Sequence, residues 1–353
     1  MASKYKVYLT VEENGKKVRK QFYGKTKKDA EKKRDDYLLH QDKKEKKIFI
    51  DTFKNWLFDI VKNRVRISSF DKYEGLYRNY ILQSPFSFVP VADIRPTDIQ
   101  KYYNSLITLG KSSNSIKNAN KLLKQFFNYC IDNYYIKDNP VAGKRIYIPI
   151  EDYSKKEVEI FTDDEIRKII ETKENHYIKY AAIISYSTGM RRGEILALRG
   201  DDINYTNNTI TINKTIVTAY KVDNEGHRHK STYVSIPKTK TSIRIIPLPI
   251  GLIKFLSEFD SDQDYLFLSK QGNFIDAGNF EKSWSSFLKR CGIKHKKFHA
   301  LRHTYATKQF ENGIPALTVS KLLGHSSIEI TLNTYTHVSE ENKSKSIDTL
   351  SIL

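Results

Sequence analysis

Four groups of polar residues interrupt otherwise apolar segments in the second half of this 353-residue chain. They combine arginine, lysine, histidine and tyrosine, which are side chains that can transfer a phosphoryl group without a metal ion. The groups are TGMRRGEI with Arg191, Arg192 and Glu194, PKTKTSIR with Lys238 and Lys240, FHALRHTYAT with His299, Arg302 and His303, and LLGHSSIEITLNTYTHV with His325 and Tyr335.

The combination fits the attack of a tyrosine hydroxyl on a DNA phosphodiester. That reaction passes through a pentacoordinate phosphorus with added negative charge, which arginine binds bidentately while staying protonated. A lysine can protonate the leaving 5′ oxygen, and nearby cations and a histidine can activate a tyrosine whose ordinary pKa is about 10. Taken singly, each residue has a simpler role, such as a helix cap, an ion pair, a solvated lysine or a core histidine.

Other chemistries have weaker support in these residues. His299 and His303 have the i, i+4 spacing of a zinc-binding helix, but Ala300 replaces the expected glutamate and Arg302 adds a cation beside the metal position. No glycine-rich phosphate loop precedes a helix, and no Gly-x-Ser-x-Gly sequence occurs. We therefore expect no metal ion and no nucleotide cofactor.

The surrounding pattern predicts mixed helices and strands in residues 151–353. Thr162 and Glu165 form a capping box that opens a helix, and HYIKYAAIISYSTG reads as a buried helix ending at Gly189. TITINKTIVTAYKV and YVSIPKTKTSIRIIPLP are rich in β-formers and read as two strands on either side of the tip DNEGHRHKS. This part is predicted to be mainly helical, with a small antiparallel sheet.

The first 150 residues divide into two further regions. Residues 1–47 are strongly charged and predict two strands joined at Asn14-Gly15, followed by the helix KKDAEKKRDDYLLH. Residues 48–150 predict helices, one of them capped by Thr97 with Gln100, and end in the linker DNPVAGKRIYIPIEDYSKKE. The chain is therefore predicted to be multidomain α+β, with domains at 1–47, 48–150 and 151–353.

The charge balance points to a polyanionic partner. The formal net charge is +19, so the chain attracts nucleic acid first and an acidic membrane surface second. In residues 1–47 aromatic residues alternate with basic ones, which predicts a DNA-binding module, although a solvated cap is the alternative. Those aromatic residues are Tyr5, Tyr8, Phe22 and Tyr23.

Composition also bears on location. No apolar run approaches the roughly 20 residues needed to span a bilayer, and the N-terminal residues do not form a secretory signal. Cys130 and Cys291 are far apart in the sequence and are expected to be buried free thiols in a reducing compartment. We expect a cytoplasmic, nucleoid-associated protein.

From about residue 158 to 345, the chain resembles the tyrosine recombinase family of phage-type integrases. TGMRRGEILAL, HALRHTYAT and LLGHSSIEITLNTYTHV are similar to the three family boxes, in the family order. The resemblance implies Tyr335 as nucleophile, Glu194 as supporting acid, and Lys238 as catalytic lysine with Lys240 as the alternate. It implies that the catalytic phosphate is bound by Arg191, His299, Arg302 and His325.

The resemblance also implies a function and an assembly. The expected activity is site-specific recombination through a 3′-phosphotyrosine, which integrates or excises a mobile element and needs no cofactor. Residues 48–150 would be the core-binding domain, forming a C-shaped clamp on double-stranded DNA with the catalytic domain, and residues 1–47 an arm-binding domain. A tetramer on two sites is expected, in which the tail after Tyr335 docks on a neighbour through Ile347, Leu350 and Leu353.

Two alternatives remain at the level of sequence: a type IB-like topoisomerase and a non-catalytic DNA-binding protein. An excisionase or a DNA-bending host protein is a possible further partner. The target sequence and the type of mobile element are not encoded in these patterns, because the bases are read by individual side chains in the grooves.

Overall fold

The structure is a computed structural model that describes residues 5–13, 16–41, 46–143, 145–149, 158–173, 176–237, 239–257 and 264–332. The chain divides into two compact units. The first comprises Met1–Ser154 with Val222–His227, and the second Lys155–Lys221 with Arg228–Leu353.

The first unit begins with a hairpin and a helix. Strands β1 (Tyr5–Glu13) and β2 (Lys16–Gly24) pair antiparallel, from Tyr5 opposite Gly24 to Glu13 opposite Lys16. The predicted turn residues Asn14 and Gly15 lie outside the described residues. Helix α1 (Lys27–Gln41) follows, and Tyr37 packs against Phe22 with ring centroids 5.2 Å apart.

The remainder of this unit is helical. Helices α2 (Phe49–Asn55) and α3 (Ile67–Leu76) each continue into a π-helical turn, at Trp56–Val61 and Tyr77–Ile81, and α4 (Pro96–Thr108) and α5 (Ser113–Asp132) follow. The i, i+3, i+4 spacing of apolar residues in α5 gives it one buried face. That face completes an aromatic core whose fully buried members include Phe49, Phe53, Tyr103, Phe126 and Phe127.

The start of α4 differs from the predicted cap at Thr97. The helix begins at Pro96, and the main-chain nitrogen of Arg95 donates to the Asp98 carboxylate at 3.0 Å. Proline suits the first helical position because its missing N–H needs no partner there. Gln100 instead pairs with the main chain of Tyr147, accepting at 2.7 Å and donating at 2.8 Å.

The second unit is built mainly from helices. They are α6 (Asp163–Glu171), α7 (Tyr177–Thr188), α8 (Arg192–Leu196), α9 (Ile250–Ser257), α10 (Ala277–Arg290), α11 (Ala300–Glu311) and α12 (Ala316–Leu323). The predicted capping box is present at α6, since Thr162 Oγ1 accepts from the Glu165 main chain and the Glu165 carboxylate accepts from the Thr162 main chain. The core of the unit centres on the fully buried Trp284 and Phe280.

Two small sheets accompany these helices. Strands β3 (Ile203–Asn204), β4 (Thr209–Ile212) and β7 (Arg244–Pro247) form an antiparallel sheet in the order β3-β4-β7, and β5 (Thr215–Val222) pairs with β6 (Arg228–Ser235). The two long predicted strands are therefore each divided. Successive segments join different sheets, since β4 and β7 belong to one sheet and β5 and β6 to the other.

This mixture of helices and small antiparallel sheets confirms the predicted α+β class. Both cysteines are free, as expected, but only Cys130 is buried, while Cys291 is partly exposed. Burial raises the pKa of the Cys130 thiol. Among the described residues, no helix is both long enough and apolar enough to cross a bilayer.

Candidate active site

The first part of the site is the turn between α7 and α8. Gly189 ends α7 with φ +67°, and a Cβ there would lie 2.6 Å from the Tyr305 ring and 2.7 Å from Leu323. Only glycine combines this left-handed conformation with such close packing. The tight turn places Arg191 at the N-terminus of α8.

The Arg191 side chain is held by Glu194. The Glu194 carboxylate accepts from the Arg191 main-chain nitrogen at 2.9 Å and from its Nη1 at 2.9 Å. The Glu194 side chain is only 4% exposed, whereas Arg191 is 37% exposed. Glu194 is thus a buried anchor, and Arg191 keeps an accessible surface.

The second part is the start of α11. Arg302 is 2% exposed, and it donates from Nη1 to the Gly189 carbonyl at 2.7 Å and from Nη2 to the Leu323 carbonyl at 2.8 Å. His299 immediately precedes the helix, and its ring lies edge-on to His303 with centroids 4.8 Å apart. One turn of helix therefore brings two imidazoles and a guanidinium together.

The third part is the end of α12, which precedes His325. Its last carbonyls carry the partial negative charge of a helix C-terminus, so cations are favoured there. Three successive carbonyls each accept from a different arginine: Leu322 from Arg244 Nε at 2.6 Å, Leu323 from Arg302 Nη2 at 2.8 Å, and Gly324 from Arg191 Nη2 at 3.2 Å.

These elements enclose a cavity of about 360 Å³. Four of the predicted site residues line it: Arg191, His299, Arg302 and His325. The remaining lining residues are Thr239, Ser242, Gly324, Ser326 and Ile330. The structure therefore brings the two predicted arginines and the two predicted histidines to one space, although they come from three separate parts of the sequence.

The other predicted site residues are distributed differently. Lys238 and Tyr335 lie outside the described residues. Lys240 begins the short 3₁₀ turn Lys240–Ser242, where its side chain is exposed and is not part of the cavity lining. Glu194 lies beneath Arg191 and does not line the cavity.

The pKa values of the two cavity histidines, His299 and His325, are lowered in the same way. Burial, together with the neighbouring His303, Arg302 and Arg191, lowers the pKa of His299 to about 4. Burial, together with Arg302 and Arg191, likewise lowers the pKa of His325 to about 4. Both imidazoles are therefore neutral near pH 7, and the positive charge of the cavity comes from its arginines.

Two residues of the site were not predicted from the sequence. Arg244 in β7 binds both oxygens of Glu194, at 2.9 and 3.2 Å, and the buried Thr331 hydroxyl lies 2.6 Å from Nδ1 of His325. The sequence does contain a sign that Arg244 is paired. It is an arginine within the apolar segment SIRIIPLP, and a buried arginine needs a partner. Thr331 has no such signal.

Sequence comparison identifies related proteins. The model described as Phage integrase family matches residues 159–342, and that of the Phage integrase, N-terminal SAM-like domain matches residues 48–107. A protein named tyrosine recombinase XerC-like, from Caldanaerobacter subterraneus subsp. tengcongensis, is 42% identical over 99% of this chain and 96% of its own length. The integrase of Staphylococcus phage L54a is 29% identical over 64% of this chain and 69% of its own.

Structural comparison agrees on the fold. The Tn1549 transposon integrase in complex with transposon right end DNA superimposes with a TM-score of 0.68 at 20% identity, covering 85% of this chain and 99% of that one. A lambda integrase tetramer bound to a Holliday junction gives a TM-score of 0.59 at 18% identity, covering 87% and 90%. With these motifs and matches, the chain belongs to the phage integrase family and is a tyrosine-type site-specific recombinase.

Proposed function

We propose that this recombinase cleaves and rejoins double-stranded DNA at specific sites, and so integrates or excises a mobile element. The observation that carries the proposal is the cavity where Arg191, Arg302, His299 and His325 meet. Two guanidinium groups supply fixed positive charge, and neutral imidazoles supply N–H donors. Such an arrangement stabilises the charge that develops on a phosphate during in-line displacement.

In this proposal Tyr335 is the nucleophile. Its hydroxyl oxygen attacks the scissile phosphorus and passes its proton to a neutral imidazole of the cavity, a 3′-phosphotyrosyl bond forms, and the bond from phosphorus to the 5′ oxygen breaks. The leaving oxygen takes a proton from Lys238, with Lys240 as the alternate donor. The freed 5′ hydroxyl of the partner strand then attacks the phosphotyrosine, which restores the tyrosine and joins the strands.

Thr331 supports this scheme through His325. When Nδ1 of His325 accepts from the Thr331 hydroxyl at 2.6 Å, the ring proton lies on Nε2. That tautomer gives the cavity an N–H donor for a phosphate oxygen without requiring a charged imidazole. With Thr331 as the donor, the hydrogen bond supplies the ring orientation and the tautomer that phosphate binding requires.

We propose the domain roles as well: residues 48–150 and 151–353 bind the cleavage site, and residues 1–47 bind a distal DNA site. One face of the N-terminal hairpin supports the last role, since Lys6 lies 5.1 Å from the Tyr23 ring centroid and Arg19 lies 4.1 Å from that of Tyr8. Both tyrosines are more than 40% exposed. Cations and aromatic rings on one open surface suit a nucleic acid.

A tetramer acting on two DNA sites is the assembly we propose, with an excisionase or DNA-bending protein as a possible accessory. The lambda integrase of similar fold forms a tetramer bound to a Holliday junction, which supports this assembly. Binding to DNA should weaken steeply with salt, because phosphate neutralisation releases counterions.

A two-plasmid assay tests the function, with the junction DNA first identified by footprinting. The proposal requires a recombinant product that carries both plasmid markers. Relaxation of supercoils without a recombinant product would instead favour the topoisomerase alternative, which none of the related proteins described above supports. DNA binding without any cleavage would favour the non-catalytic alternative.

A further inference from the structure

Arg244 is a buried cation beside the candidate active site, and it does not line the cavity. Its side chain is 6% exposed, although its sequence neighbours Ile243 and Ile245 are 49% and 65% exposed. The guanidinium thus points inward from a strand whose adjacent apolar residues point outward. An arginine is rarely buried this far unless it is fully paired.

Every nitrogen of the Arg244 guanidinium has an acceptor. Nε donates to the Leu322 carbonyl at 2.6 Å, and Nη1 donates to the Ser242 carbonyl at 3.2 Å. The remaining bonds go to Glu194, from Nη2 to Oε2 at 2.9 Å and from Nη1 to Oε1 at 3.2 Å. This bidentate pairing fixes the carboxylate in one plane.

Glu194 therefore lies between two guanidinium groups, those of Arg244 and Arg191. Each carboxylate oxygen accepts from both arginines, because Oε1 also binds Arg191 Nη1 and Oε2 also binds the Arg191 main-chain nitrogen. Burial alone would raise the pKa of Glu194, but Arg244 first and Arg191 second lower it below its ordinary value. The carboxylate stays ionised.

The charge balance of this trio depends on Arg244. With Arg244 present, two cations share one anion and a net positive charge remains next to the cavity. Without it, Arg191 and Glu194 would form a closed neutral pair. A buried carboxylate with a single partner would also hold that partner more tightly, since attraction rises as the local dielectric falls.

We propose that Arg244 is a positioning residue for DNA cleavage: it compensates the charge of Glu194, so that the Arg191 guanidinium stays available to the scissile phosphate. This inference rests on the proposed function of the site. Arg244 itself touches neither the cavity nor, in this scheme, the DNA. A purely structural role, in which Arg244 only ties β7 to the end of α12, is the competing explanation.

Removing the two charges singly and together separates the two explanations. Single-turnover formation of the covalent adduct on a nicked duplex is measured for the intact protein, for R244Q, for R244K and for the double variant E194Q/R244Q. R244Q should slow adduct formation by about 100-fold, the usual effect of losing one charge-stabilising group. R244K keeps the charge and should stay within about tenfold of the intact protein.

The double variant gives the decisive comparison. If Arg244 matters because it compensates Glu194, removing both charges should make E194Q/R244Q at least about tenfold faster than R244Q. A double variant as slow as R244Q, or slower, would overturn the proposal. So would an R244Q variant within twofold of the intact protein.

A second substrate gives a readout that a structural role would not change. A methylphosphonate at the scissile position lacks the non-bridging charge that Arg191 binds, so the R244Q defect should shrink on it. K214M is the matched control, because Lys214 makes an ion pair with the buried Asp202 in the same unit and away from the cavity. Its rates on the two substrates should change in proportion.

These measurements remain decisive if R244Q does not fold, because R244K must then stay within about tenfold of the intact protein on the ordinary phosphodiester. A larger R244K defect of equal size on both substrates would contradict the proposal. Failure of the underlying function has a different signature, because the intact protein would then form no adduct at all.

Discussion

Nη1 of Arg302 donates a hydrogen bond to the main-chain carbonyl of Gly189 at 2.7 Å. This single bond joins the HALRH and TGMRRGE motifs, which are 113 residues apart in the sequence. Because Gly189 immediately precedes the turn that carries Arg191, the position of one predicted phosphate ligand depends on the other. The two arginines therefore act as one structural unit.

Replacing Arg302 with lysine should damage both activity and stability. A lysine keeps the charge but cannot donate to the Gly189 and Leu323 carbonyls while also meeting a phosphate bidentately. We expect adduct formation to fall by about 100-fold or more, and the free energy of unfolding to fall by about 1–3 kcal/mol. Single-turnover cleavage and urea unfolding measure these effects. R167K, at a pair whose arginine is 64% exposed, is the control and should change neither quantity appreciably.

The packing around Gly189 predicts an unusually costly alanine substitution. Gly189 and Gly292 have the same φ of +67°, but a Cβ at 189 meets Tyr305 and Leu323 below 3 Å, whereas a Cβ at 292 meets nothing within 4 Å. Gly292→Ala should therefore cost only the backbone strain of about 1–2 kcal/mol. Gly189→Ala should cost about 1–3 kcal/mol more because of overpacking. Equal losses of unfolding free energy in urea would refute this description of the turn.

The Thr331 hydroxyl should matter for catalysis through His325. Thr331→Val keeps the shape but removes the bond to Nδ1, and we expect adduct formation to slow by about tenfold, as suits a hydrogen bond worth about 1–1.5 kcal/mol. Thr331→Ser retains the hydroxyl and should recover most of the rate. If valine and serine give the same rate, the Thr331 hydroxyl does not orient the imidazole.

The lowered pKa values of His299 and His325 predict acid sensitivity. Each has a pKa of about 4 in the folded protein against 6.5 ordinarily, so the unfolded chain binds more protons between these values. The contribution of these two histidines to the free energy of unfolding is therefore fully present above about pH 6.5 and is lost as the pH falls toward 4. The unfolding temperature should drop between pH 7 and pH 5, and H299Q/H325Q should show a smaller drop. An unchanged slope in that variant would assign the acid sensitivity to other groups.

Much of the fold and site can be predicted from local sequence signals. The Thr162 cap, the helix ending at Gly189 and the aromatic face of α5 follow from short-range spacing, and the structure has all three. The predicted start of α4 is wrong. Thr97 is a residue type that often caps helices, but Pro96 is favoured at the first helical position, and the carboxylate of Asp98 completes the cap. The division of the strands escapes prediction because β-forming residues lie on both sides of each interruption, and the sheet that each segment joins is decided by long-range pairing.

The contacts that complete the site are long-range, and that explains which residues escape prediction. Arg244 meets Glu194 fifty positions away and Leu322 seventy-eight positions away, distances over which periodicity carries no information. Thr331 is close to His325 in sequence, but only the fold shows that its hydroxyl turns toward the imidazole. The positions of Lys238 and Tyr335, which the motifs predict, lie outside the described residues and stay predictions.

The central claim is that Tyr335 forms the covalent bond to DNA, and one measurement tests it most directly. A nicked duplex carrying the cleavage site loses a short 5′-hydroxyl fragment on cleavage, which traps the adduct, and mass spectrometry of the digested adduct locates the attached nucleotide. We predict a 3′-phosphotyrosyl link on the peptide containing Tyr335, and no adduct with Tyr335→Phe. An adduct of equal yield in Tyr335→Phe, or a nucleotide attached to another residue of the intact protein, would contradict the claim.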